Sequence, residues 1–238
     1  MSKVEVCLTP EFFNKYSTKN KIVVIVDILR ATSIITTMFH HGLDKLIPVN
    51  NLDEAKDYKS RGLLIAAERN GKKLDFADFG NSPFEFTTEN IKNKTIVYST
   101  TNGTNTINIA AKSEQLIIAS FLNLTSIANY LINEQKDVLI LCSGWEGNYC
   151  IEDSLFAGAL IEKLLISKLF AINGDSAIIS SDVWKIAKED IYQYIKRIHQ
   201  YNRLAKLGME DIIKYCFTVD ITMVIPLYSK YYLIPIKK

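Results

Sequence analysis

The chain has 238 residues, 48% of them hydrophobic and 23% charged, a balance that supports a globular core. Its 28 basic and 26 acidic residues leave a net charge of +2, no electrostatic footprint for a nucleic-acid partner. No apolar run approaches a membrane span, and Met1-Ser-Lys-Val-Glu-Val mixes charge into a strand-like pattern, so neither a leader peptide nor membrane attachment is expected. Cys7, Cys142, Cys150 and Cys216 form no C-x-x-C pair and read as reduced, buried thiols of a cytoplasmic protein.

Strands alternate with helices along the chain. Val4–Leu8 and the continuous apolar run Ile22–Val26 read as strands, the second buried on both faces. Thr32–His41 has helical spacing and closes at Gly42. A short strand, Lys45–Val49, precedes a helix capped by Asn50 or Asn51 and running to Arg61. Leu63–Ala67 is a strand, followed by a polar segment from Glu68 to Pro83. Thr95–Tyr98, Gln115–Ala119 and Val138–Cys142 read as further strands. The helices between and after them are Thr104–Lys112, Leu124–Asn133 and Glu152–Leu165. Beyond these the pattern is helical, over Asp175–Ala187, Asp190–Leu207 and Met209–Cys216. Two apolar segments near Val224 and Tyr232 suggest an edge hairpin or a cover.

This order predicts a single three-layer α/β/α domain over residues 1–238, with a largely parallel or mixed sheet and a helical portion from about residue 175. The rhythm leaves room for two similar βαβ halves.

Four polar loops each follow an apolar strand, and in a parallel sheet they gather on one rim. The first is Asp27-Ile-Leu-Arg30-Ala-Thr32-Ser33. A charge ending an apolar strand is costly unless compensated. Asp27 suits a divalent cation, Arg30 an oxyanion, and Thr32 and Ser33 add donors at a helix start. The plainer alternative is a helix cap with Asp27 paired to Arg30. The second loop holds Glu68-Arg69-Asn70-Gly71, then Gly80-Asn81-Ser82-Pro83. The third, Ser99-Thr100-Thr101-Asn102-Gly103-Thr104, is either an anion cradle or an ordinary capping turn, and it is no Walker A loop. The fourth, Cys142-Ser143-Gly144-Trp145-Glu146-Gly147, leads to Glu152-Asp153. These two acids either complement a helix dipole or join Asp27 in a Mg²⁺ site. No Arg lies between Cys142 and Asn148, against a cysteine phosphatase. Leu29 stands where haloacid-dehalogenase phosphatases carry a second Asp. Trp145 reads as core or pocket wall, and His199 as a surface or packing residue within reach of a site.

The ordered segments resemble the 2-phosphosulfolactate phosphatase family of coenzyme M biosynthesis. They are Val26–Ser33, Glu68–Gly71, Gly80–Pro83, Ser99–Thr104, Cys142-x-Gly144 with Glu152-Asp153 and Ala157-Gly158, Gly208-x-x-Asp211 and Cys216-x-x-x-Asp220. The resemblance covers about Lys21 to Pro226. It implies an α/β/α, Mg²⁺-dependent phosphatase converting 2-phospho-3-sulfolactate to 3-sulfolactate and phosphate. On that basis Asp27, Glu152 and Asp153 are expected to hold the metal, unless Asp27 is itself the nucleophile. Arg30 is expected to hold phosphate or sulfonate, with Thr32, Ser33 and Ser99–Thr104 as donors. Asn81 and Ser82 are expected to orient substrate, and Glu68 to act as general acid or to position Arg30. The partner is thus a small phosphorylated anion, with self-association left open. The alternatives are a phosphatase of another phosphorylated hydroxy acid, a non-catalytic metabolite-binding protein and a nucleotide-binding module. The absence of a Walker or dinucleotide fingerprint disfavours the last.

Overall fold

The computed structural model describes residues 1–69 and 71–236. In chain order its strands are β1 (Ser2–Cys7), β2 (Lys21–Val26), β3 (Lys45–Pro48), β4 (Leu64–Arg69), β5 (Lys72–Lys73), β6 (Thr95–Ser99), β7 (Gln115–Ala119), β8 (Asp137–Cys142), β9 (Phe170–Ile172), β10 (Pro226–Ser229) and β11 (Tyr232–Pro235). The helices are α1 (Ala31–His40), α2 (Leu52–Ser60), α3 (Thr88–Ile91), α4 (Gly103–Ala110), α5 (Leu124–Glu134), α6 (Ile151–Ile166), α7 (Asp175–Ala187), α8 (Ile191–Ile195), α9 (His199–Ala205) and α10 (Glu210–Cys216). Among the described residues no helix is long and apolar enough to cross a membrane.

The sheet order is β5-β4-β6-β3-β11-β10-β7-β2-β8-β1-β9. It contains two parallel blocks, β4-β6-β3 and β7-β2-β8-β1-β9. The antiparallel hairpin β10–β11 lies between them, with Leu233 opposite Leu46 and Leu227 opposite Ile117. Three successive antiparallel junctions therefore separate the blocks, which run in opposite senses. The α/β/α expectation with a mixed sheet holds. The edge placement of the final hairpin does not: these segments occupy the middle of the sheet, and Leu233 is fully buried there. The expectation of a mainly helical chain beyond residue 165 also missed β9, three residues that pair with β1 at the sheet edge.

Alternation along the strands builds the layers. In β2, Ile22, Val24 and Val26 face a core made with α5, α6 and α7, while Val23 and Ile25 face a second core around α1 and α4. That second core also takes Leu46, Ala66, Ile96 and Tyr98 from the smaller block. Helices α1 and α4 are thus shared between blocks. Ile34, Ile35 and Met38 of α1 are fully buried, each worth about 1.5–3 kcal/mol of transfer free energy. Helix α2 covers the other face of the smaller block through Ala55 against Ile65 and Val97.

Helix α6 is buried along most of its length. At Gly158 a Cβ would stand 2.2 Å from the carbonyl oxygen of Ser180, so only glycine lets α7 lie this close. Ala157-Gly158 therefore serves packing, not chemistry. The single helix expected over Asp190–Leu207 is two, α8 and α9. Ile198 between them is extended (φ −84°, ψ 153°) and buried, and no Gly or Pro marks the break. Similarly, Asp220 accepts the backbone N–H of Thr125 at 2.7 Å and so fixes the start of α5.

Candidate active site

Two helix N-termini meet at the centre of this fold. Helix α1 leaves β2 through the turn at Asp27–Arg30, and α4 leaves β6 through Thr100–Asn102. Gly103 opens α4. A Cβ there would lie 2.2 Å from the Cβ of Ala31, which opens α1, and 2.8 Å from Asp27 Oδ2. Glycine alone permits that approach, so Asp27 sits where the two positive helix ends converge. The first turn of α6 joins them: Asp153 Oδ1 accepts the N–H of Ile28 at 2.9 Å, and Oδ2 that of Gly144 at 3.1 Å. The loops do gather, but not on the rim of one parallel sheet. Opposed blocks bring them together because α1 and α4 pack in one core against strands of both blocks.

A cavity of about 250 Å³ opens at this junction. Asp27 and Glu68 are its acids, Arg30 and Arg203 its cations, and Asn81, Thr100, Thr101 and Asn102 its neutral polar groups. Leu29 and Trp145 form apolar wall. Asp27, Arg30 and Glu68 are all less than a tenth exposed. Glu68 fastens two loops: Oε2 accepts the N–H of Gly71 at 2.7 Å, and Oε1 accepts both the N–H and hydroxyl of Thr101 at 3.1 Å. Asn81 accepts the phenol of the buried Tyr98.

Several expected donors build the loops instead of lining the cavity. Thr32 Oγ1 donates to the carbonyl of Asp27 at 2.9 Å and accepts its N–H at 3.0 Å. Ser33 donates to the carbonyl of Ile28 at 2.9 Å. Both are fully buried, and they cap the turn that aims Asp27. Thr104 exchanges hydrogen bonds with Thr100, closing the third loop. Ser99 accepts from Arg69 at 3.0 Å. Ser82 caps the turn Pro83–Glu85. Asn70 of the second loop lies outside the described residues.

The three acids assigned to a metal crowd together. Burial first, and then Glu68, push Asp27 up to about 6, against the pull of Ala31 N–H and Arg30. Burial and Asp27 push Glu152 up to about 7. Asp153 is raised well above the carboxylate range by burial, Glu152 and Asp27 in that order. Their geometry is nevertheless not a cage. Asp153 holds two backbone N–H groups, and Glu152 lines an adjoining cavity of about 360 Å³ that shares Trp145 with the first. Among the described residues no three of His, Cys, Asp and Glu stand ready to enclose an ion. The donor set suits a hard cation that keeps waters and takes one or two carboxylates, which is how Mg²⁺ usually binds.

Sequence reading missed Arg203. It reaches the cavity from α9 because the chain breaks at Ile198. Its guanidinium lies over the Trp145 ring, 5.0 Å from the centroid, and Nε donates to Gln200 Oε1 at 2.7 Å. Trp145 is backed in turn by His199, with ring centroids 5.6 Å apart. The only signal available was an arginine four residues after a histidine already within reach of a site. His199 itself lines the adjoining cavity. Cys142 is fully buried, and burial pushes its thiol well above the ordinary value.

Fold and cavity define an α/β protein whose cavity presents helix N-termini and two arginines beside buried carboxylates, a setting suited to a small anion. A family model described as 2-phosphosulpholactate phosphatase matches residues 7–231. The chain is 37% identical over 225 residues to a probable 2-phosphosulfolactate phosphatase of Clostridium perfringens (strain SM101 / Type A), covering 92% of this chain and 90% of the relative. A protein of the same name from Caldanaerobacter subterraneus subsp. tengcongensis is 37% identical over 217 residues, with 90% of each chain covered. One from Thermotoga maritima is 38% identical over 203 residues, covering 85% of this chain and 87% of its own. The chain belongs to the 2-phosphosulfolactate phosphatase family.

Proposed function

We propose that the chain is a phosphoric monoester hydrolase that converts 2-phospho-3-sulfolactate to 3-sulfolactate and inorganic phosphate. Beyond family membership, one observation carries this reading: the N-termini of α1 and α4 meet around Asp27, with Arg30 and Arg203 facing the same cavity. Helix N-termini and arginines favour phosphoryl oxygens, and phosphoryl transfer depends chiefly on positioning and charge stabilisation.

In the reaction a water oxygen bonds to phosphorus, and the bond from phosphorus to the C2 oxygen breaks. The electron pair stays on that oxygen, which takes up the proton that the attacking water gives up. Arg30, at the N-cap of α1, holds the phosphoryl group with the N–H groups of Asn102 and Gly103 at the start of α4. Asp27, its Oδ1 fixed by the Ala31 N–H at 3.2 Å, presents Oδ2 to the reacting end of the substrate. Glu68 is a positioning residue: it locks Thr101, and with it the third loop, in place. Mg²⁺, where bound, would rest on Asp27 and Glu152, neutralise the clustered acids and draw charge from the phosphoryl oxygens. Asp153 keeps those two loops in register. The whole chain acts as one catalytic domain in this reading. The four free, buried cysteines support a reducing, cytoplasmic setting.

A simple anion-binding protein has no use for buried acids beside the anion. The decisive assay is phosphate release, with and without Mg²⁺, across phosphorylated hydroxy acids that include phosphosulfolactate and 2-phospholactate. Release strongest from phosphosulfolactate and dependent on Mg²⁺ supports the proposal. No release from any of them sinks it.

A further inference from the structure

We propose that Arg203 determines substrate specificity: its guanidinium holds the sulfonate, while Arg30 and the helix N-termini hold the phosphate. This assignment rests on the phosphatase reading above. The two arginines come from different parts of the fold, the N-cap of α1 and α9, and line one cavity. Arg30 is buried and belongs to the Asp27 turn, so the reacting phosphoryl group must lie on its side. Arg203 is only half-buried and reaches in from α9, over the Trp145 wall, and it is no part of the turn that carries Asp27.

The fork of Arg203 is held before any ligand arrives. Trp145 supports its face at 5.0 Å, and the buried Gln200 engages Nε at 2.7 Å. That leaves the terminal edge, with its paired N–H groups, to meet two oxygens of a tetrahedral oxyanion. Fixing a planar fork in advance lowers the ordering cost of binding, which a flexible lysine would not do. Charge agrees with geometry. Burial and then the neighbouring Arg30 lower the Arg203 pKa, so the two cations repel across the cavity. A substrate with a permanently ionised sulfonate besides its phosphate relieves that repulsion at both ends.

The test compares the full-length protein with Arg203→Gln and Arg203→Lys on three substrates: phosphosulfolactate, 2-phospholactate and phenyl phosphate. In the expected result, Arg203→Gln cuts the preference for phosphosulfolactate over 2-phospholactate, as a ratio of kcat/KM, at least tenfold, mainly through KM. Arg203→Lys falls between it and the wild type, and titration calorimetry shows 3-sulfolactate binding weakened more than inorganic phosphate binding. An equal loss on all three substrates places Arg203 on the phosphate and overturns the proposal. So does a loss shared by phosphosulfolactate and 2-phospholactate against phenyl phosphate, which places it on the carboxylate. Both results leave the phosphatase reading standing. A wild-type protein that neither hydrolyses phosphosulfolactate nor binds 3-sulfolactate overturns both.

Discussion

Asp153, the third residue of α6, accepts the backbone N–H of Ile28 at 2.9 Å across 125 positions of sequence. Its second oxygen accepts from Gly144 at 3.1 Å, so one side chain ties the end of β2 to the loop after β8. Asp153→Ala strips two buried N–H groups of their acceptor. Each orphan costs about 1–3 kcal/mol, part of which is returned by removing a buried charge. We predict a net destabilisation of about 1–3 kcal/mol by urea unfolding, and a smaller one for Asp153→Asn, whose single amide oxygen still accepts. Wild-type stability in Asp153→Ala would show that the bridge carries no load.

Asp27→Asn preserves the shape of the turn and the Ala31 contact but removes the carboxylate. Phosphatase activity is expected to fall on the order of a hundredfold or more, while the far-ultraviolet dichroism stays that of the wild type. Turnover near the wild-type rate would remove Asp27 from the reacting centre. Incubation of the wild type with BeF₃⁻ then asks whether Asp27 itself attacks phosphorus: a trapped adduct that is lost in Asp27→Asn identifies the nucleophile.

The acids also predict how stability depends on pH. Asp27 rises from 3.8 to about 6 on folding and Glu152 from 4.5 to about 7, so the folded state binds more protons across that window. Their contribution is present in full below the unfolded values and is lost as pH climbs through the folded ones. Without metal, the melting temperature is expected to decline from about pH 4 to about pH 7, with a shallower decline in Asp27→Asn. If the acids hold Mg²⁺, added Mg²⁺ raises the melting temperature more at about pH 8 than at about pH 5, because protonated carboxyls make poor ligands. A pH-independent melting temperature in the metal-free protein would contradict the crowding of these groups.

Cys142 stands at a strand end beside the site, where a cysteine nucleophile would be expected to stand. Its burial and raised pKa argue against that role. Cys142→Ala is predicted to keep phosphatase activity within about fivefold and to cost about 1 kcal/mol of stability. A thiol reagent should leave the native protein unlabelled until denaturant is added. Rapid native labelling coupled to inactivation would reverse the conclusion.

Much of this was legible in the sequence, for reasons that can be stated. Apolar runs such as Ile22–Val26 have no stable place except inside a sheet, and a charge at their end marks the border of the core. Asp27, Arg30, Glu68, Asn81, Thr100, Thr101 and Asn102 all line the cavity accordingly. Hydroxyl residues misled, because Thr32, Ser33 and Thr104 satisfy backbone groups as readily as ligands and sequence does not distinguish the two uses. Arg203 depends on a helix break at Ile198 that follows from core packing, and no local residue announces it. The opposed strand blocks depend on pairing partners far apart in the chain, which hydrophobic period does not encode.

The central hairpin has a consequence for the order of assembly. Until residues 226–235 are available, the smaller block ends at β3 and the larger at β7, each presenting an open strand edge. Open edges invite pairing with another chain. On the ribosome the two halves must wait, partly formed, for a seam that arrives late. A chain cut after Ile225 is therefore expected to sediment as aggregate. A soluble, compact product from that cut would mean that the seam follows assembly instead of completing it.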